Sequence, residues 1–158
     1  MEWTALLSSE RLHDRKYVAQ ANRSIFTQDY DRIVFSEPFR RLANKTQVQP
    51  LYENDHVHHR LIHSIEVGSV GRSLAMAIGQ WLVDQGIIEA GEENSLANIV
   101  QAACAAHDIG NPPFGHSGEN AIGDWFSEKF QHAAGMFADL DPTLHEEFCA
   151  FEGNAQGF

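Results

Sequence analysis

The chain has 158 residues, with 11 Lys+Arg against 22 Asp+Glu, a formal net charge of −11, 43% hydrophobic residues and 21% charged ones. That length and composition suit one soluble globular domain burying roughly 70% of its unfolded surface, and they exclude a disordered chain. No run of about 18 apolar residues exists to span a bilayer, and Met1–Leu7 lacks the basic start and apolar core of a signal peptide, so a cytoplasmic protein without membrane partners is expected.

The charge is uneven. Residues 1–72 carry 10 basic and 9 acidic side chains, whereas residues 73–158 carry 13 acidic ones and a single base, Lys129. An acidic chain is a poor general binder of nucleic acid, because neutralising phosphates supplies most non-specific affinity. A metal offsetting carboxylates, or a phosphorylated ligand held by the first half, fits the distribution better. Cys104 and Cys149 are too few for a disulfide framework and read as buried free thiols.

Strand patterns are nearly absent and helical ones recur, so the expected class is all-α. Residues 1–24 read as an irregular arm, 25–136 as a helical core and 137–158 as the start of a further helical region, leaving the bundle incomplete on its C-terminal side. Residues 28–47 suggest one helix or two short ones interrupted near Pro38. The longest helix is expected from about Arg60 to Gln85, with Leu61, Ile65, Leu74, Ile78, Trp81 and Leu82 as its core stripe and Gly86 as its stop. Asn94 or Ser95 is placed as the cap of the next helix, which reaches His107. Gly110, Pro112, Pro113 and Gly115 forbid its continuation, and Ser117 caps a helix to about Phe130. Asp141-Pro142 starts a last helix carrying Leu144, Phe148 and Phe151. Phe26, Phe35, Phe39 and Trp81 are expected in the core.

The chemistry concentrates in His107-Asp108-Ile109-Gly110-Asn111-Pro112-Pro113-Phe114-Gly115-His116. An adjacent His-Asp pair offers an imidazole nitrogen and a carboxylate oxygen to one cation. A second imidazole must come from elsewhere, and His63, read as facing the core with Val67, Val70 and Leu74, is the best candidate. Two His and one Asp form a mixed shell for Mn²⁺, Fe²⁺, Zn²⁺ or Mg²⁺. The alternatives are a core histidine bonded to a carbonyl at His63 and a turn-forming carboxylate at Asp108. For Asp108 that position is electrostatically poor, since helix carbonyls point at it.

His63, His107-Asp108 and the Gly110–His116 loop resemble the HD-domain phosphohydrolases. The match extends to Asp31-Arg32-Ile33, Phe39-Arg40-Arg41-Leu42, Lys45-Thr46-Gln47-Val48, Arg60 through Val67, His107 through Glu119 and the tail Phe151–Gln156, which together resemble the deoxyguanosine triphosphate triphosphohydrolases. The resemblance implies that His63, His107 and Asp108 are metal ligands, with a fourth, an aspartate, beyond Phe158. Asp124, Asp139 and Asp141 do not occupy its place. It implies that His116 is the catalytic histidine and Glu119 its acidic companion. Gln47 meets the deoxyribose, Arg60 lies near phosphates and sugar, and Asn111, a substrate-site candidate, stands where many HD relatives carry another His. Apart from the resemblance, Lys45 is offered by the basic half, with Arg60, as a cationic partner for the polyphosphate.

The reaction implied is hydrolysis of dGTP, or of other deoxynucleoside triphosphates, to deoxynucleoside and triphosphate. The cofactor is a divalent cation, Mn²⁺ or Mg²⁺, with Fe²⁺, Zn²⁺ or Ni²⁺ as further occupants of the same shell. Partners implied are the nucleotide and further copies of the chain, with nucleic acid only for a longer parent. Family members are longer, so little or no turnover is expected of these residues alone. The other readings are an HD phosphohydrolase of different nucleotide specificity and a non-catalytic nucleotide-sensing or assembly module.

Overall fold

Ser36 decides where the first helices divide. Helix α2, Ile25–Phe35, begins at Ser24, whose hydroxyl accepts from the Thr27 amide, and ends at Ser36 in extended backbone. The Ser36 hydroxyl then accepts from the Phe39 amide and caps α3, Glu37–Arg41, with Pro38 in its first turn. The break therefore falls two residues before the proline, because a proline is tolerated in a first turn whereas a capping serine ends one helix and starts the next. A 3₁₀ turn, Leu42–Asn44, follows. In this computed structural model the described residues are 2–11, 20, 22–45, 59–132, 137 and 140–157. Among them there is no β-strand, and the protein is all-α. A short helix α1, Trp3–Leu6, lies in the arm read as irregular.

Helix α4, Arg60–Asp84, is the long helix, and α5, Glu92–Ala106, packs on it more extensively than any other element does. Gly86, at φ 68°, takes the left-handed conformation that ends α4. The face α4 buries is not the apolar one. Arg60, Ser64, Gly68, Ala75, Gly79 and Leu82 are buried, while Val70, Leu74, Ile78 and Trp81 stay exposed, Leu74 to 61%. Of the expected core stripe, Leu82 is buried and Leu61 packs on the core, but Ile65, Leu74, Ile78 and Trp81 are exposed, as is Phe35, against expectation. The reason is backbone proximity. Gly71 faces Cys104, and a Cβ built at Gly79 would come within 2.8 Å of the Glu93 Cα. Small residues admit the second helix closely, and larger side chains are left beside the contact.

Helix α5 also begins earlier than Asn94 or Ser95. Gly91 is its N-cap at φ 103°, with Glu92 and Glu93 in the first turn, where carboxylates suit the helix dipole. Those carboxylates accept from the Glu89 and Gly91 amides. Helix α6, His116–Gln131, starts at Gly115 rather than Ser117, which makes His116 its first residue. Asp141 caps a 3₁₀ turn, Pro142–Leu144, followed by two short helices, α7 His145–Cys149 and α8 Gly153–Gly157, in place of one continuous helix.

Two apolar clusters result. Phe39, Leu42 and Ala105 are buried together, with Tyr30, Ile33, Val34, Leu61 and Ile109 against them. Phe126, Phe130 and Phe148 form a second between α6 and α7, with His145 stacked on Phe130 at 3.9 Å. Cys104 and Cys149 are free but only half-buried. No helix among the described residues is long and apolar enough to cross a membrane.

Candidate metal centre and adjoining cavity

Each donor is delivered by a helix terminus. His63 sits one turn into α4, three residues after buried Arg60. His107 is the C-cap of α5, and Asp108 follows it into the turn, where Gly110, Pro112 and Pro113 end the helix. One ligand atom from each of His63, His107 and Asp108 lies within 4.8 Å of the others. The two rings stand edge to face, 5.3 Å between centroids. His63 is half-buried at the margin of the α4–α5 contact, because Val70 and Leu74, its supposed core companions, point outward.

The surroundings orient the set. His107 Nδ1 lies 2.7 Å from the Cys104 carbonyl, so that nitrogen carries the proton and Nε2 keeps its lone pair. Nε2 is 3.4 Å from Asp108 Oδ2. Asp108 is 5% exposed. Its Oδ1 accepts from Arg60 Nη1 at 2.9 Å and from Asn111 Nδ2, while its Oδ2 is buried with no hydrogen-bond partner among the described residues. A buried carboxylate oxygen without a donor is costly. A cation between the two imidazoles and Oδ2 removes that cost, so the donor set fits a divalent metal. Part of the relief at the helix end comes from Arg60, a role its expected place on phosphates did not include.

Beside this cluster lies a cavity of about 370 Å³ lined by Arg60, Asp108, Asn111, Gly115, His116, Glu119 and Asn154. His116 presents an almost fully exposed ring. Its Nδ1 is 2.6 Å from Glu119 Oε2, and Glu119 Oε1 accepts from the Gly153 amide at 2.7 Å. The bond to His116 first, and then the one from Gly153, hold the Glu119 carboxyl below its ordinary pKa. A Cβ at Gly115 would lie 2.5 Å from Arg60 Nη2 and would displace the guanidinium, and the φ of 54° there itself favours glycine.

Lys45 does not stand free in the cavity wall. Its Nζ donates to the Asn111 carbonyl at 2.5 Å and reaches the Ile109 carbonyl at 3.5 Å, while its own carbonyl accepts from the Arg60 amide. It thereby ties the start of α4 to the turn after α5. Burial, then Arg41 and Arg60, lower its pKa, and Asp108 opposes them. Gln47 lies outside the described residues, as does Phe158. Sequence reasoning did not assign Asn154 or the Gly153 amide. The only signal for them was the family-like tail block that contains both.

An all-helical domain with two imidazoles and an adjoining Asp at the ends of two packed helices defines the class. Residues 60–143, over half of the chain, match the family described as HD domain, and the chain belongs to that family. It is 50% identical over 161 residues to a deoxyguanosinetriphosphate triphosphohydrolase-like protein of Pseudomonas aeruginosa, covering 100% of this chain and 35% of that one. A Synechocystis protein of the same description is 48% identical, with 100% and 36% covered. A deoxyguanosinetriphosphate triphosphohydrolase of Cronobacter sakazakii is 40% identical over 84% of this chain and 32% of its own length. The chain thus spans about a third of the length of these relatives.

Proposed function

We propose that the chain forms the metal-binding portion of a phosphohydrolase that cleaves dGTP, or a related deoxynucleoside triphosphate, to deoxynucleoside and triphosphate. One observation carries the reading: His63, His107 and Asp108 converge within 4.8 Å, with a buried carboxylate oxygen left for a cation. The HD family and the names borne by its relatives point to the same chemistry.

His63, His107 and Asp108 hold the divalent cation, Mn²⁺ or Mg²⁺ by this reading. When bound, such a cation polarises a phosphoryl oxygen and lowers the pKa of coordinated water. Arg60 and Asn111 border both the ligand carboxylate and the cavity, where a guanidinium fork and an amide suit phosphate oxygens. Gln47 meets the deoxyribose. Water attacks the α-phosphorus, and the bond to the 5′-oxygen breaks with its electron pair going to that oxygen. His116 supplies the proton from Nε2, while Glu119 accepts from Nδ1 and stabilises the imidazolium. Copies of the longer protein assemble as a homo-oligomer.

The test uses a protein of the relatives' full length. With Mn²⁺ it releases triphosphate from dGTP faster than from dATP, dCTP, dTTP or GTP, and His116→Ala lowers kcat by ~10²–10⁴. A substrate order led by another nucleotide moves the specificity. No triphosphate release from any of them defeats the reading.

A further inference from the structure

The tail Glu152–Gly157 has no part in the chemistry just described, yet it is fitted into the site. A Cβ at Gly110 would meet the backbone of Gly153, Gln156 and Gly157, and a Cβ at Gly153 would lie 2.9 Å from both Asn111 Cα and Glu119 Oε1. Backbone therefore lies against backbone along the turn that carries Asp108 and Asn111. On the other side, the Gly153 amide donates to Glu119 at 2.7 Å.

Glu119 thus has two holds, one three residues before it in sequence and one 34 residues after it. Oε2 takes His116 and Oε1 takes Gly153. A carboxylate fixed at one oxygen still swings about its last side-chain torsion, which is broad. Fixed at both, it offers Oε2 to the ring in one direction. His116 itself is exposed and touches little else, so its orientation comes from Glu119.

We infer that Gly153 is a positioning residue for the His116–Glu119 pair, and that the tail 152–157 is part of the reactive apparatus rather than a neighbouring element. The inference rests on the catalytic reading of that pair. Any residue other than glycine at 153 pushes the carboxylate or Asn111 aside, because its Cβ enters the space they occupy. The charged groups acting on Glu119 are His116 and Arg60.

The experiment is an NMR titration of the 158-residue chain labelled with ¹⁵N and ¹³C. The expected result is that the Gly153 amide proton moves with pH at the same midpoint as the Glu119 side-chain carboxyl, and that this midpoint lies below the ordinary glutamate value. In Gly153→Ala, the Glu119 midpoint rises toward the ordinary value and the His116 ring resonances shift. A Gly153 amide that stays flat through the Glu119 transition overturns the inference. If the alanine variant does not fold, the wild-type titration decides alone. In the full-length protein, Gly153→Ala lowers kcat with KM little changed. Should Glu119→Ala leave turnover intact there while the amide still tracks Glu119 here, the catalytic reading fails and the contact stands. Should Glu119→Ala abolish turnover while Gly153→Ala leaves both kcat and the Glu119 midpoint unmoved, the inference alone fails.

Discussion

Asp108 is a buried carboxylate at the carbonyl end of a helix, a poor place for a negative charge. The Arg60 guanidinium and the Asn111 amide offset part of that cost, and Oδ2, without a hydrogen-bond partner among the described residues, is left for a cation. Asp108→Asn keeps the shape and removes the charge. Metal affinity is then expected to fall by about 100-fold or more, read by titration calorimetry with Mn²⁺, and an unchanged affinity would place the cation elsewhere. Glu119 gives a pH signature. Its folded pKa lies below the unfolded one, so its contribution to stability is complete above the unfolded value and is lost as pH falls through the folded one. Wild type should lose thermal stability more steeply below about pH 5 than Glu119→Gln does; parallel curves would show that the carboxylate is not held. The adjacent His107-Asp108 and the i, i+3 pair His116/Glu119 were legible because their spacing is local. Arg60 with Asp108 and Lys45 with Asn111 were not, being 48 and 66 residues apart and joined only by tertiary packing.

The longer helices were legible in rough extent, less so at their ends, whereas short α1 and the division of the last helix into α7 and α8 were not. Ser36 ends α2 and caps α3, which sets the expected break near Pro38 at the serine, two residues before the proline. Ser36→Ala should cost about 1 kcal/mol, seen as a lower Tm; no change would mean water replaces the cap. The face of α4 was misread for a physical reason. Periodicity marks where apolar side chains lie, whereas close helix approach selects small ones, and on α4 the two sets sit side by side. Gly79→Ala forces a methyl against Glu93 Cα and Cβ, so a loss on the order of 1–3 kcal/mol is expected from chemical denaturation. A neutral result would show that α4 and α5 separate easily.

At the scale of the molecule, the chain carries the His63–His107–Asp108 cluster at one end of an apolar stripe. Val70, Leu74, Ile78 and Trp81 are exposed along the helix that begins with Arg60 and His63. Phe148 is also 38% exposed although it touches the α6–α7 aromatic cluster, Phe151 is half-buried, and Phe158 lies outside the described residues. A stripe of this kind favours association in water, offset by the net charge of −11. Leu74→Glu with Trp81→Glu should shift the chain to smaller species in size-exclusion chromatography with light scattering, leaving helix content unchanged. The same distribution in both proteins would locate any association elsewhere.

The central claim is that two imidazoles and one carboxylate meet on a single cation, and pulsed EPR of the Mn²⁺-loaded chain reads that shell directly. One Mn²⁺ per chain is expected, with hyperfine couplings from two histidine nitrogens. One coupling should vanish in His63→Ala and the other in His107→Ala. A bound ion with no nitrogen coupling, or couplings that survive both substitutions, would contradict it.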